Sequence, residues 1–386
     1  MVGTHHSACL RHLLNTLVLV LAIETSCDET SVAIVKNGKE VLANVIASQI
    51  DLHAKTGGVV PEVAAREHIL RIQPCIEEAC QLAGRLRQTR PLLVAKNKNI
   101  IDKIDLLAVT AGPGLIGCLL TGVNAAKTLS YVHKKPLLGV NHIEGHIYAN
   151  FLERDKKEFK FPILVLTVSG GHNELVLIKN HCEYELIGES LDDAAGEAFD
   201  KVARILELGY PGGPAIEKAA NEFEGDSEIT FPRAWGITGN TKPSEKGRLQ
   251  PKLPHFNFSF SGLKTAALQM TEKRESMTIQ NPELAKAFQE AIIDVLSVKT
   301  LQAALKYGVK EVHLAGGVSA NKALRKGLEE LLSPHQINFK YPKQFSYCTD
   351  NAAMIAAAAY FRAKKEGLPK LDNWKNIGAN PGLNLV

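Results

Sequence analysis

Apolar residues fall along this chain in short unbroken runs that end in polar or glycine-rich turns, with longer helically spaced stretches between them. Val18 to Ile23, within an apolar stretch from Leu17 to Glu24, leads into Glu24-Thr25-Ser26-Cys27-Asp28-Glu29-Thr30 and resumes at Ser31 to Val35. The pattern returns at Ile163 to Val168, Ser169-Gly170-Gly171-His172-Asn173 and Glu174 to Ile178. Each set reads as strand, polar turn, strand, because continuous apolar runs of this length suit buried strands. Further strands are predicted at Leu106–Thr110, Pro136–Val140 and Glu311–Leu314, each running into a helix. Helices are predicted from Glu62 to about Leu82, after the breaker cluster Gly57-Gly58-Val59-Val60-Pro61, from Gly122 to Tyr131, from Pro282 to Leu305, and through an alanine-rich segment to Ala363. Strands alternating with helices predict an α/β fold. The repeated hairpin predicts a duplicated, two-lobe architecture.

The strand ending at Val140 opens into Asn141-His142-Ile143-Glu144-Gly145-His146. Histidines at i and i+4 share one helix face, and two imidazoles so placed can hold one divalent metal with room for a third ligand and a substrate. Strand ends are also where α/β sheets bind ligands. A zinc peptidase would need glutamate directly after the first histidine. Here Ile143 stands there and Glu144 faces away from the pair, which weighs against a peptidase.

Other turns carry candidate chemistry. Ala111-Gly112-Pro113-Gly114-Leu115-Ile116-Gly117 precedes a helix and suits an approaching anion. Asp193, Glu197 and Asp200 are spaced to share a face, which suits a metal, a ribose or a cationic group; charge at a helix N-terminus accounts for Asp192 and Asp193 equally but not for Asp200. Tyr210-Pro211-Gly212-Gly213-Pro214 and Ala315-Gly316-Gly317-Val318-Ser319-Ala320-Asn321 bring backbone near a ligand, the latter with Asn321 on the next helix. In Tyr347-Cys348-Thr349-Asp350-Asn351, Thr349 or Asp350 either caps the alanine-rich helix or, for Asp350, serves as a third metal ligand. Glu62, Arg66 and His68 fit a solvated face as well as a functional one. The matched turns Glu24–Thr30 and Ser169–Asn173 suit a nucleotide cleft between the lobes.

A length of 386 residues bounds the chain to two or three domains, and a net charge of +4 permits a polyanionic partner without demanding one. Seven scattered cysteines without CxxC argue against a disulfide frame or a cysteine zinc site and for a reducing compartment. The apolar run Leu13 to Ile23 is too short to span a membrane and lacks a small-residue cleavage site, so no membrane association is expected. Residues 1–16 are expected as a disordered extension, 17–155 as an N-terminal lobe and 156–364 as a C-terminal lobe, with 365–386 packing back on the first lobe. The polar segment Glu153–Lys160 is expected to link them. A basic insertion is expected at 84–99. The basic, aromatic stretch Thr230–Phe260 suits unpaired bases as well as a docked loop.

Taken together, IETSCDET (Ile23–Thr30), GGVVPEVAAREH (Gly57–His68), AGPGLIG (Ala111–Gly117), NHIEGH (Asn141–His146), VSGGH (Val168–His172), Leu191–Asp200, YPGGP (Tyr210–Pro214), FSFSGLK (Phe258–Lys264), GGVSAN (Gly316–Asn321) and CTDNA (Cys348–Ala352) resemble the tRNA N6-adenosine threonylcarbamoyltransferases, the TsaD family, in that family's order. The resemblance covers nearly everything from Val18 onward. It implies an actin-like ATPase fold of two ribonuclease-H-like lobes with an interlobe cleft. It implies that His142, His146 and Asp350 bind one divalent metal, iron or zinc. It also implies that Thr167, Val168, Ser169, Gly170, Gly171, Asp200, Gly213, Glu217 and Asn321 hold an adenine nucleotide, threonylcarbamoyl-adenylate or ATP. The implied reaction moves the threonylcarbamoyl group to N6 of the adenosine 3′ to the anticodon in tRNAs reading codons that begin with A. Asp28 or Glu29 is the expected acceptor of the amine proton. Implied partners are tRNA and, in bacteria, an inert paralogue (TsaB) and a small ATPase (TsaE). The expected location is the cytoplasm, or mitochondria if residues 1–16 are a targeting remnant. The rival readings are a metallopeptidase, an inert partner subunit, and a carbamoyltransferase acting on a small molecule.

Overall fold

The computed structural model describes residues 18–88, 100–155, 158–225, 227, 229–233, 255–277 and 280–386. The expected N-terminal extension, residues 89–99 of the basic insertion and residues 234–254 of the basic, aromatic stretch lie outside the described residues. In chain order the elements are β1 (Leu19–Glu24), β2 (Glu29–Lys36), β3 (Glu40–Ser48), α1 (Ile50–Ala54), α2 (Pro61–Gln88), β4 (Leu106–Gly112), α3 (Ile116–His133), β5 (Leu137–Asn141) and α4 (His142–Ala149). There follow β6 (Ile163–Val168), β7 (Asn173–Asn180), β8 (Glu183–Glu189), α5 (Ala195–Ile205), α6 (Gly212–Glu222), α7 (Ser261–Met277), α8 (Asn281–Tyr307), β9 (Glu311–Ala315), α9 (Lys322–Leu332), β10 (Asn338–Lys340) and α10 (Ala352–Glu366).

The two sheets repeat one plan. In the first, the order is β3-β2-β1-β4-β5, and in the second it is β8-β7-β6-β9-β10. Each begins as an antiparallel meander whose first strand then pairs in parallel with the strand after the crossover: β1 with β4, and β6 with β9. β1 and β6 are buried along their whole length, as central strands covered on both faces must be. This is the duplicated α/β plan that the repeated hairpins predict, and it agrees with the actin-like ATPase fold that the family resemblance implies.

The chain divides into two compact units, one of residues 18–53, 59–158 and 342–386, the other of 54–58 and 159–341. The first has its core among β1, β2, β4, α2 and α3, and the second between β6, β7, α5, α6 and α8. The expected C-terminal boundary near residue 364 therefore moves to Tyr341. The reason is α10. Its run Ala352–Ala359 is wholly buried, and small side chains let it lie close on β1, β2, β4, β5 and α4.

Three further differences are local. The helix expected to end near Leu82 continues to Gln88, absorbing Gly84, Arg85 and Arg87 from the expected basic insertion. The glycines of the Ala111–Gly117 turn serve the chain itself. Gly112 has φ 151°, and a Cβ there would lie 1.8 Å from the Asn380 carbonyl oxygen of the C-terminal tail. The Gly114 and Leu115 N–H groups donate to Pro381 and Ser26 carbonyls at 3.3 and 2.8 Å, so neither is left for an anion. Phe256, Phe258 and Phe260 are core residues and do not offer faces to bases. No helix among the described residues is long and apolar enough to cross a membrane.

Helices α4 and α10 meet at Gly145. A Cβ there would lie 2.6 Å from Ile355 Cδ1 and 3.1 Å from Met354 Cγ. Gly145→Leu is expected to force the two helices apart and cost about 1–3 kcal/mol of stability, read as a lowered thermal midpoint; an unchanged midpoint would refute this packing role.

Candidate metal centre

Two local devices aim the side chains of the candidate centre. Asn141 ends β5 and caps α4: its Oδ1 accepts from Ile143 N–H at 2.8 Å and Glu144 N–H at 3.3 Å. Its Nδ2 donates to the Leu383 carbonyl at 3.0 Å, tying the cap to the C-terminal tail. The alanine-rich helix α10 is capped by Asn351, which accepts from Met354 N–H at 3.1 Å, and not by Thr349 or Asp350. Ala352 N–H donates to Ser31 Oγ on β2 at 2.9 Å. With the capping done by its neighbour, Asp350 turns to the histidines of α4.

Asp350 Oδ1 lies 3.2 Å from His146 Nε2 and 3.5 Å from His142 Nε2. The ligand atoms of all three residues fall within 4.8 Å of one another. His146 is wholly buried and neither ring nitrogen has a hydrogen-bond partner. A nitrogen facing a carboxylate oxygen at 3.2 Å without hydrogen-bond alignment is the arrangement a shared cation completes. The residues fit a His2Asp metal site with open positions, and the donor set suits iron or zinc.

Charges set the proton affinities. Burial opposes charge on His142, but Asp350 and Glu24 outweigh it and push the imidazole up to about 9. Burial holds His146 below its usual range, against the pull of Asp350. Glu24 is wholly buried yet accepts from Ser26 N–H at 2.5 Å and from the Thr110 hydroxyl, and lies 3.2 Å from His142 Nδ1. Despite burial, the adjacent His142 holds its carboxyl below the usual range.

The first hairpin is held next to this centre by His68, which the sequence placed evenly between a solvated and a functional face. His68 is wholly buried: its Nε2 lies 2.9 Å from the Cys27 carbonyl and its Nδ1 2.7 Å from the Thr30 hydroxyl. Glu62 and Arg66, by contrast, form an exposed i,i+4 pair. Burial, reinforced by the charges of Asp28 and Asp350, raises Glu29 well above the carboxylate range. The same causes raise the Cys27 thiol well above its ordinary value, so it is no nucleophile. Glu144 is buried and paired with Arg362 of α10, which removes it as a peptidase base.

The nucleotide candidates all lie in the second unit. Thr167 and Val168 end β6, Ser169, Gly170 and Gly171 form the turn, Asp200 is on α5, Gly213 and Glu217 are on α6, and Asn321 caps α9. They are linked in pairs. A Cβ on Gly196 would strike the Ser169 carbonyl, and one on Gly316 the Val168 carbonyl, so the turn, α5 and the end of β9 are in contact. Asp200 Oδ1 accepts from Gly212 N–H, and Glu217 Oε1 from Lys322 N–H, each at 2.7 Å. Asn321 is engaged on both sides, accepting from Leu324 N–H and donating to Gln289. Gly170, Gly171, Gly213 and Gly317 face open space. Two buried hydroxyls, Thr167 Oγ1 and Ser319 Oγ, lack partners at the carboxyl ends of β6 and β9, where α/β sheets take ligands. Ser319, like Glu24, was not singled out by spacing. The acidic face of α5 answers to Lys201, which bridges Asp193 and Glu197 at 2.7 and 2.9 Å.

Two outcomes follow from these charges. Near neutral pH the metal-free His142 is protonated while His146 is not. Zn2+ binding should therefore release about one proton, and affinity should rise with pH up to about 9 and then level. Calorimetry in buffers of different ionisation enthalpy reads both; a pH-independent affinity between 6 and 9 would contradict the assignment. In the second unit, burial first and Glu189 second push Glu174 up to about 7. A carboxyl with a raised folded value favours the proton-bound fold, so stability falls as pH rises from the unfolded value through 7. Glu174→Gln should therefore raise the thermal midpoint by about 2–4 °C at pH 8 and leave it unchanged at pH 4.

Residues 40–357 match the family described as TsaD, tRNA N6-adenosine threonylcarbamoyltransferase. The Halalkalibacterium halodurans protein of that name is 47% identical over 377 residues, 97% of this chain and 98% of the relative. Its namesake in Geobacillus thermodenitrificans is 48% identical over 379 residues, with the same coverage. Among solved structures, T. kodakarensis HypF aligns with TM-score 0.57 at 13% identity, over 90% of this chain and 48% of that one. The Acidaminococcus fermentans (R)-2-hydroxyglutaryl-CoA dehydratase component A aligns with TM-score 0.50 at 14% identity, over 91% and 100%. These two likenesses are of fold. The sequence matches, spanning nearly the whole chain, show that it belongs to the tRNA N6-adenosine threonylcarbamoyltransferase family.

Proposed function

We propose that this chain transfers a threonylcarbamoyl group from threonylcarbamoyl-adenylate to N6 of a tRNA adenosine, the one 3′-adjacent to the anticodon in tRNAs reading codons that begin with A. The observation that carries this is the convergence of His142, His146 and Asp350, with a buried histidine left unpartnered, in a chain of this family. The bound metal, iron or zinc, supplies Lewis acidity toward the carbamoyl carbonyl and the departing phosphate. The adenylate belongs to the second unit. There Gly170 and Gly171 offer backbone N–H groups to phosphate, and Ser169, the orphaned Thr167 and Ser319 hydroxyls, Val168, Asp200, Gly213, Glu217 and Asn321 line the same strand ends.

The nucleophile is an aromatic amine whose lone pair is delocalised, so an acceptor for its proton assists attack. Of the two hairpin acids, Glu29 is raised well above the carboxylate range by burial and by the charges of Asp28 and Asp350, and Ser48 donates to it at 3.2 Å. Asp28 or Glu29 is the proposed acceptor. The target adenosine lies in a single-stranded loop and can be splayed from its neighbours. An inert paralogue and a small ATPase act as helpers if the source is bacterial, and the cytoplasm is the expected site of action.

The peptidase reading is disfavoured by the Arg362–Glu144 pair. Mass spectrometry of nucleosides from tRNA incubated with threonine, bicarbonate, ATP and the helper proteins is expected to show threonylcarbamoyladenosine. His146→Ala and Asp350→Ala should lower the yield roughly 100-fold or more. Wild-type-like yield from metal-depleted Asp350→Ala would refute the metal's role, and peptide cleavage lost on His146→Ala would restore the rival.

A further inference from the structure

Glu24 takes no part in the transfer chemistry above, yet it is wholly buried against a metal-binding histidine. Its position is fixed from two directions. Ser26 N–H, a backbone donor that cannot rotate away, donates to Oε1 at 2.5 Å. The Thr110 hydroxyl, on the neighbouring strand β4, donates to Oε2. The same Oε2 lies 3.2 Å from His142 Nδ1.

His142 Nδ1 has a second neighbour, Ser26 Oγ at 3.1 Å. That hydroxyl accepts from an Nδ1–H or donates to a bare Nδ1 with equal ease. By itself it would leave the tautomer open. An ionised carboxylate can only accept, so Glu24 breaks the tie. A bare Nδ1 beside Oε2 would set two lone pairs against each other in a buried place. When an ion takes Nε2, the one remaining proton therefore sits on Nδ1, and the Nε2 lone pair is given to the ion on the side of Asp350 Oδ1, 3.5 Å away.

We propose that Glu24 is a positioning residue that fixes His142 as the Nδ1–H tautomer and so turns its Nε2 lone pair on the ion it shares with His146 and Asp350. This rests on the metal reading of those three residues. A buried carboxylate behind a metal-binding histidine orients the ring and strengthens its donor nitrogen.

Glu24→Gln keeps the volume and reverses the hydrogen-bond sense. The amide oxygen must face the Ser26 N–H, so the NH2 faces Thr110 and His142. Thr110 can turn to accept. His142 must then accept at Nδ1 and carry its proton on Nε2, where the metal should be.

Zn2+ affinity is measured by competition with a chromophoric chelator for wild type, Glu24→Gln and His146→Ala, with circular dichroism as a check on folding. Glu24→Gln is expected to weaken Zn2+ binding about 10–100-fold, and His146→Ala to lose it. In parallel, 15N NMR of the Zn2+-loaded wild type, labelled in histidine, reads the tautomer directly, whether or not the variant folds. The expected spectrum has His142 protonated on Nδ1 and metal-bound through Nε2. Zinc on Nδ1 of His142, or affinity within about twofold of wild type in a folded Glu24→Gln, would overturn this role while leaving the metal centre standing. A wild type that binds no Zn2+ would overturn both.

Discussion

The candidate centre depends on how closely two helices can approach. Asp350 and the histidines are far apart in sequence, and only the packing of α10 on α4 brings them within a shared coordination distance. That packing requires no side chain at Gly145, since Ile355 and Met354 occupy the space a Cβ would need. Around this contact the chain adds specific fasteners. Arg362 reaches from α10 to Glu144 and to the Gly139 carbonyl, and Tyr148 stacks on Phe361 with ring centroids 4.9 Å apart. The i,i+4 spacing of the histidines is thus half of a device whose other half is alanine-rich and apolar.

Polar groups complete it from the strands. Glu24 and Thr110 come from adjacent parallel strands, β1 and β4, and Ser31 comes from β2. These are strand-end positions on one sheet, so β-pairing sets their separations before any side chain is placed. A buried carboxylate with three donors around it can stay charged where an isolated one would not. The second unit repeats the strand plan but leaves the Thr167 and Ser319 hydroxyls unpaired at the matching strand ends.

Much of this is legible in the sequence because buried strands write themselves as apolar runs. Ile163–Val168 has the same bounds in both readings. The histidine pair is legible because helical periodicity is local. Other features are not, for physical reasons. Gly84 suggests a helix end, yet α2 runs on to Gln88, since one glycine costs only about 1 kcal/mol. Gly112 and Gly114 look like an anion-binding turn because glycine permits close approach without saying of what; here the approaching groups are the chain's own carbonyls. Nothing in one sequence reveals that Asn351 rather than Asp350 caps α10, because both residue types cap well. Glu24 ends an apolar strand and gains meaning only when His142 arrives beside it.

The amide of Asn141 has a reach that its capping role alone would not suggest. By donating to the Leu383 carbonyl, it fastens residues 380–383 to the start of the histidine helix, while the Asn380 N–H grips the Ala111 carbonyl at 2.7 Å. The segment 380–383 is therefore a strut for the candidate metal centre. A substitution that displaced it would be felt at the imidazoles even though His142, His146 and Asp350 were intact.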